Sequence, residues 1–268
     1  MLESYIDILY YIDRVGIMKL NNKVAILTAA AGAGIGKATA RTFAREGARV
    51  VITDAHEERS KQVALEIKEE FNVDTIGIKC DVLCLEDIKD VVRVTLNRFG
   101  RIDILFNNAG TNRPSRIVDM TDENWDIVMG VSLKSVFYFT REVLPVMMNQ
   151  NSGRIISVTS VAGFRGLGAG HAHYAAAKAG VMAFTRCLAM EAAPYRITAN
   201  TIAPSFIYNE FIPSLYPQEE IQRMLDEIPY PRKGVPQDVA NTALFLASDE
   251  GEYITGQTIC VTGGSWMR

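Results

Sequence analysis

From residue 23 onward the chain alternates two kinds of apolar pattern. Short runs rich in β-branched and aliphatic residues, at 24–28, 49–53, 75–79, 104–107, 154–158, 197–203 and 258–261, are apolar on successive positions. Such runs suit strands buried on both faces of a sheet. Between them, at 35–46, 57–71, 87–99, 124–148, 173–192 and 237–247, apolar residues recur at helical spacing. Regular alternation of strand and helix predicts a parallel sheet covered by helices on both faces. In such a sheet ligands gather at the carboxyl ends of the strands, near the point where strand order reverses, so chemistry is expected at the strand exits.

The fold class expected is therefore α/β, a single-domain doubly wound (Rossmann) parallel sheet flanked by helices, occupying residues 19–268. Residues 1–18 form an extension of uncertain status. Its apolar stretches are interrupted by Glu3, Asp7 and Asp13 and lack a basic start, which argues against a secretory signal and leaves a packing helix or interface element. Only 206–233 breaks the alternation; Phe206, Tyr208, Phe211, Tyr216 and Tyr230 among prolines mark an apolar substrate loop.

Composition narrows the class. Of the 268 residues 48% are hydrophobic and 22% charged, and no apolar run approaches the roughly 20 residues of a membrane span. A cytoplasmic protein with no membrane partner is expected. The net charge of −3, with basic residues scattered among acids, offers no footprint for nucleic acid. Four cysteines with one C-x3-C pair (Cys80, Cys84) and three histidines supply a zinc site poorly, so no metal is expected.

A glycine-rich turn, Thr28-Ala-Ala-Ala-Gly32-Ala-Gly34-Ile35-Gly36, joins the first strand to the first helix. There glycines permit a tight turn and let backbone N–H groups approach a pyrophosphate. Asp54, eighteen residues past Gly36, ends the second strand, where a carboxylate accepts from an adenosine ribose and repels a 2′-phosphate. Neither Ala33 nor Ala55 brings a positive charge, so NAD is favoured and NADP is less expected. Asp81 and Val82 at the third strand exit, and Asn107, Asn108, Ala109 and Gly110 at the fourth, add polar groups and a small-residue turn on the same edge.

Tyr174 and Lys178 stand four apart at the start of a helix and share a face. An ammonium beside a phenol favours phenolate and lowers the tyrosine pKa from about 10. Ser160, fourteen residues earlier at a strand exit, can hydrogen-bond the same substrate oxygen, and the glycines between them suit a loop beside a ligand.

Taken jointly, the Gly-rich turn, Asp81, Asn107-Asn108-Ala109-Gly110, Ser160, Tyr174-Ala-Ala-Ala-Lys178, Asn200-Thr-Ile-Ala-Pro204, Thr255-Gly-Gln and Gly263-Gly264 resemble the short-chain dehydrogenase/reductase family. The resemblance implies Tyr174 as general acid/base, Lys178 as holder of the nicotinamide ribose, and Ser160 as the group orienting carbonyl or alcohol. It implies that Pro204, Ile207 and Asn108 to Gly110 line the cofactor, and that family members assemble as homotetramers through the two helices near Ser132 and Tyr174. The chain departs from the pattern in four places. Ala29-Ala30-Ala31 replaces an early glycine with one extra residue, Ser132 stands where the family has an asparagine that holds a catalytic water, Ser205 replaces a glycine, and Asn209 stands where the family often has a threonine that contacts the cofactor amide.

The reaction implied is reversible interconversion of a ketone and a secondary alcohol, with the cofactor moving hydride and Tyr174 the proton. An apolar, cyclic or acyl-thioester substrate is expected, as in 3-oxoacyl reductases and steroid-breakdown branches of that family. A non-enzymatic dinucleotide-binding regulator would share the turn, but retained Ser160, Tyr174 and Lys178 favour the enzyme. Sugar-nucleotide epimerases use a related dyad and need a larger substrate domain.

Overall fold

A computed structural model describes residues 18–267; the extension at 1–17 lies outside them. Seven strands, β1 (Val24–Leu27), β2 (Arg49–Asp54), β3 (Thr75–Lys79), β4 (Ile104–Asn107), β5 (Gly153–Val158), β6 (Ile197–Pro204) and β7 (Thr258–Val261), form one sheet in the order β3-β2-β1-β4-β5-β6-β7. Every pairing is parallel. Strand order reverses between β1 and β4, which places a crevice beyond their carboxyl ends.

The helices are α1 (Ile35–Arg45), α2 (Glu57–Phe71), α3 (Leu85–Phe99), α4 (Asp122–Met129), α5 (Ser135–Gln150), α6 (Ala172–Ala192), α7 (Ile212–Leu215), α8 (Gln218–Asp226) and α9 (Pro236–Ala247). The five central strands feed two cores, while β3 feeds only the second and β7 only the first. Ala25, Leu27, Val50, Ile52, Ile104 and Phe106 pack under Phe43 of α1, Ile67 of α2 and Val239 of α9. Ile26, Val51 and Leu105, one position out of phase, pack under Val91 of α3, Phe139 of α5 and Leu188 of α6. This period of two with both faces apolar is why the strands read as continuous hydrophobic runs. Among the described residues no helix is long and apolar enough to cross a membrane.

One expectation needs correction. The stretch anticipated as one helix over 124–148 is instead α4, a π-turn at Gly130–Lys134, and α5. The extra residue of a π-turn is invisible to hydrophobic spacing, and it falls on Ser132. Within the insertion at 206–233 lie α7 and α8, and its ends are pinned by a bridge between Ile207 and Gly234 with Tyr208 N–H donating to Gly234 O at 2.8 Å.

Candidate active site

The turn after β1 closes without a glycine at its first position. Ala29 adopts φ 50°, the left-handed region where a Cβ is strained, while Ala30 N–H donates to Thr53 O at 3.0 Å. That is how the chain accommodates its departure from the family pattern. Gly36 is required by packing, because a Cβ there would lie 2.7 Å from Ala29 O and 2.8 Å from Asn108 Nδ2. At Gly32 and Gly34 a Cβ would meet nothing within 4 Å, so the turn presents open space at the head of α1, whose N-cap Gly34 offers no side-chain oxygen to its first N–H groups. Unpaired amides facing open space at a helix N-terminus suit a pyrophosphate.

Thr28 was expected to face the cofactor. It is buried instead, and its Oγ1 accepts from Asn108 N and Ala109 N at 2.9 and 3.0 Å, while Asn108 Nδ2 donates to Thr28 O and Ala29 O. Thr28 therefore staples the two turns that flank the crevice. Asn107 is likewise turned inward, its Nδ2 donating to Ser157 Oγ at 3.2 Å.

Asp54 ends β2 with its carboxylate nearly sequestered. Oδ1 accepts from Arg59 at 2.7 Å and from His56 N at 3.1 Å; Oδ2 accepts from Ala31 N at 3.4 Å. Ala33 and Ala55 indeed bring no positive charge to this end of the crevice, but Arg59, which that reading did not consider, reaches back from the first turn of α2. A residue five past the acid, on the following helix, was the missed signal. Asp81 is exposed and its Oδ1 accepts from Leu83 N at 2.9 Å, while Val82 packs against the core.

A cavity of about 620 Å³ opens beyond β4, β5 and β6, and Ile35, Asn108, Gly110, Ser160, Tyr174, Lys178, Pro204 and Ile207 all line it. Helix α6 begins two residues before Tyr174 and carries Lys178 one turn further on. Lys178 is buried; Nζ donates to Val158 O at 2.8 Å and lies 5.7 Å from the centre of the Tyr174 ring. Burial pulls its ammonium down from 10.5 to about 8. Burial also pushes the Tyr174 phenol above its ordinary value, against a hydrogen bond shared with Ser160 that lowers it. In the protein alone, loss of water is the larger influence on the phenol, which is raised rather than lowered.

Ser132 was expected beside the reacting groups. It is fully buried in the π-turn, where Oγ donates to Thr111 O and accepts from Thr111 N, both at 3.1 Å. The hydroxyl fastens the segment after Gly110 rather than opening to the cavity. A Cβ at Gly110 would sit 3.2 Å from Lys178 Nζ and 3.8 Å from Ser132 Oγ, so this glycine is what lets the turn pass over the lysine. A seam continues along the same segment: Asn112 meets His171, Ser115 N–H donates to Gly170 O, and the buried His173 bonds Arg113 O at 2.9 Å. It ties the β4 exit to the start of α6.

A smaller cavity of about 420 Å³ lies on the other side of the strand exit at β6, reaching Thr242 of α9 and Cys260 of β7. Ser205, Phe206, Ile207 and Ile228 line both cavities and form the partition between them.

A doubly wound sheet with open space at a glycine-rich strand exit and a half-buried tyrosine beside a buried lysine at another defines a dinucleotide-dependent oxidoreductase. The chain belongs to the short-chain dehydrogenase/reductase family, whose members interconvert ketones and alcohols with NAD(P). Residues 29–265 match the family model described as enoyl-(acyl carrier protein) reductase. The chain is 42% identical over 248 residues to a 3-oxoacyl-(acyl-carrier-protein) reductase of Thermotoga maritima, covering 92% of this chain and 99% of that protein. It is 42% identical over 244 residues to a (5R,7aS)-5-hydroxy-7a-methyl-1-oxo-2,3,5,6,7,7a-hexahydro-1H-indene-carboxyl-CoA reductase of Mycobacterium tuberculosis, covering 91% and 93%. A 3-oxoacyl-(acyl-carrier-protein) reductase of Staphylococcus epidermidis is 39% identical over 247 residues, covering 92% and 100%.

Proposed function

We propose that the chain is an NAD-linked reductase of a cyclic or acyl-thioester ketone, with Tyr174 as the proton donor, Ser160 as the group that holds the reacting oxygen, and Lys178 as the cation beneath them. The observation that carries the reading is that Ser160, Tyr174 and the buried Lys178 line one cavity; burial raises the Tyr174 phenol, which favours the protonated form that reduction consumes.

Gly32, Gly34 and the head of α1 would hold the pyrophosphate, Asp54 the adenosine ribose, and Lys178 the nicotinamide ribose; the open space at the two glycines and the spare N–H groups of Lys178 support that assignment. When bound, the dinucleotide supplies a hydride to the carbonyl carbon. As charge grows on the carbonyl oxygen, Tyr174 Oη gives it a proton and Ser160 Oγ donates a hydrogen bond to it. The products are a secondary alcohol and a phenolate, which Lys178 stabilises until solvent returns the proton. Oxidation is the reverse path, with the phenolate as base.

The substrate class rests on the cavity, whose size suits a fused ring or a medium acyl chain and whose walls include Leu167, Ile212, Tyr216, Met224 and Ile228. Two relatives named for 3-oxoacyl thioesters and one named for a fused-ring carboxyl-CoA point the same way. A cytoplasmic homotetramer is the assembly we infer; half-exposed Phe137 of α5, packed edge-on against Phe184 of α6 and beneath Arg141, supports a helix-face contact between copies.

The test is hydride transfer from NADH and NADPH separately to cyclic ketones and 3-oxoacyl thioesters, with Tyr174→Phe beside the wild type. NADH turnover that falls at least a thousandfold in the variant while NADH binding persists is the expected result. Binding without turnover in the wild type would move the reading to a dinucleotide-binding regulator.

A further inference from the structure

We propose that Arg165 is a specificity-determining residue, and that the ketone this cavity accepts carries, besides its reacting carbonyl, an anionic oxygen group of the carboxylate or phosphate kind. This rests on the cavity being the site of ketone reduction.

Arg165 lies five residues past Ser160 on the same loop and lines the same cavity as Tyr174. Its guanidinium is underused. Nε has no hydrogen-bond partner, and the nearest carboxylate, Glu227 just beyond α8, is 3.7 Å away, outside hydrogen-bonding distance. Both members of that pair are exposed enough for water to compete, which makes the pairing weak. What fixes the group is aromatic. The guanidinium sits 5.8 Å from the centre of the Trp266 ring, and Trp266 stacks on Phe164 at 6.3 Å with an interplanar angle of 17°. A planar fork held over an indole has already lost its rotamer freedom, so its donors meet a carboxylate or phosphate at little further cost.

A second guanidinium, more exposed and with no aromatic ring beneath it among the described residues, lies at the same cavity. It belongs to Arg223 of α8, whose partner Glu220 is 3.6 Å away. Leu167, Met224 and Ile228 in the same lining give the rest of the substrate an apolar bed. Bidentate bonds from Arg to an oxyanion are shorter and about twice as strong as neutral ones, so a ligand oxyanion displaces the loosely held glutamates rather than adding to them.

Two matched substrate pairs separate the sources of the anion: 4-oxocyclohexanecarboxylate against its methyl ester, and acetoacetyl-CoA against acetoacetyl-pantetheine. Each is assayed with NADH for wild type, Arg165→Met and Arg165→Lys. The wild type is expected to favour the anionic member of at least one pair by tenfold or more in kcat/KM. Arg165→Met is expected to shrink that ratio at least tenfold through KM, and Arg165→Lys to restore part of it. Equal use of both members by the wild type, or a ratio that Arg165→Met leaves unmoved, overturns the proposal; an arginine that merely latches α8 lowers both members together and leaves the ratio where it was. Calorimetric titration of the NAD+ complex, which has no hydride to give a ketone, with each pair reads the same discrimination without turnover. A holoenzyme that binds the anion selectively yet reduces neither ketone would sink the reductase reading and leave Arg165 standing.

Discussion

Lys178 Nζ donates to the carbonyl oxygen of Val158 at 2.8 Å, so the cation under the reacting tyrosine is held by a neutral dipole rather than by a carboxylate. Its charge is thereby left for whatever occupies the cavity, and the folded protein bears the cost of burying it.

That cost sets a pH signature. Below pH about 8 both folded and unfolded chains carry the proton, and the full penalty is present; between about 8 and 10.5 the folded chain has released a proton that the unfolded chain keeps. Unfolding then binds protons, so stability rises with pH across that window, by about 3 kcal/mol at most. Lys178→Met removes the penalty but leaves Val158 O without its donor, which costs about 1 kcal/mol or more. The variant is expected to be inactive, yet more stable than wild type by about 1–2 kcal/mol at pH 7. The advantage should shrink above pH 8 in cofactor-free thermal melts; a variant that melts lower at pH 7 refutes it.

Tyr174 titrates on the other side. Since burial raises its phenol, the ultraviolet difference between wild type and Tyr174→Phe should show phenolate appearing above the ordinary tyrosine range. Ketone reduction should keep its proton donor through neutral pH and lose it only in that alkaline limb, while alcohol oxidation climbs over the same limb. A limb near neutrality in the cofactor-free spectrum would contradict the geometry.

Asp54 and Arg59 act as a pair on cofactor choice. Asp54→Ala is expected to weaken NADH binding about tenfold, the scale of one lost charged hydrogen bond, and to improve NADPH relative to NADH by freeing Arg59. Arg59→Ala leaves the carboxylate unneutralised, so the preference for NADH over NADPH should widen. Fluorescence titration of both cofactors reads these shifts; unchanged ratios in both variants would remove the pair from the selector.

Ala29 offers a stability gain. A left-handed alanine costs about 1–2 kcal/mol, and glycine returns about 0.4–1 kcal/mol of that through the freer unfolded chain. Ala29→Gly should therefore stabilise by roughly 0.5–1 kcal/mol, a rise of about 2 °C in Tm at fixed protein concentration.

The layout of strands and helices was legible in the sequence because the five central strands are apolar on both faces and the helices that cover them on one. Ser160, Tyr174 and Lys178 could be nominated together because they stand at one strand exit and on one helical face. What spacing could not show were orientations. Thr28 and Ser132 have the residue types of ligand-facing groups, and both spend their hydroxyls on neighbouring backbone. Arg59 and Arg165 lie outside the short motifs; only the folding of α2 back over β2, and of Trp266 against the loop after Ser160, brings their charges into view. The tyrosine's raised pKa also escaped, since proximity to a lysine is written in the sequence and burial is not.

The partition of Ser205, Phe206, Ile207 and Ile228 gives this protein a two-room plan. The rear room opens between α9 and β7, away from Tyr174 and Lys178, and it can be furnished by larger residues at Thr242 or Cys260 without disturbing either group. Bulk added there presses on the shared wall and trims the reaction chamber from behind, so the range of ketones accepted becomes a property that can drift while the chemistry stays fixed.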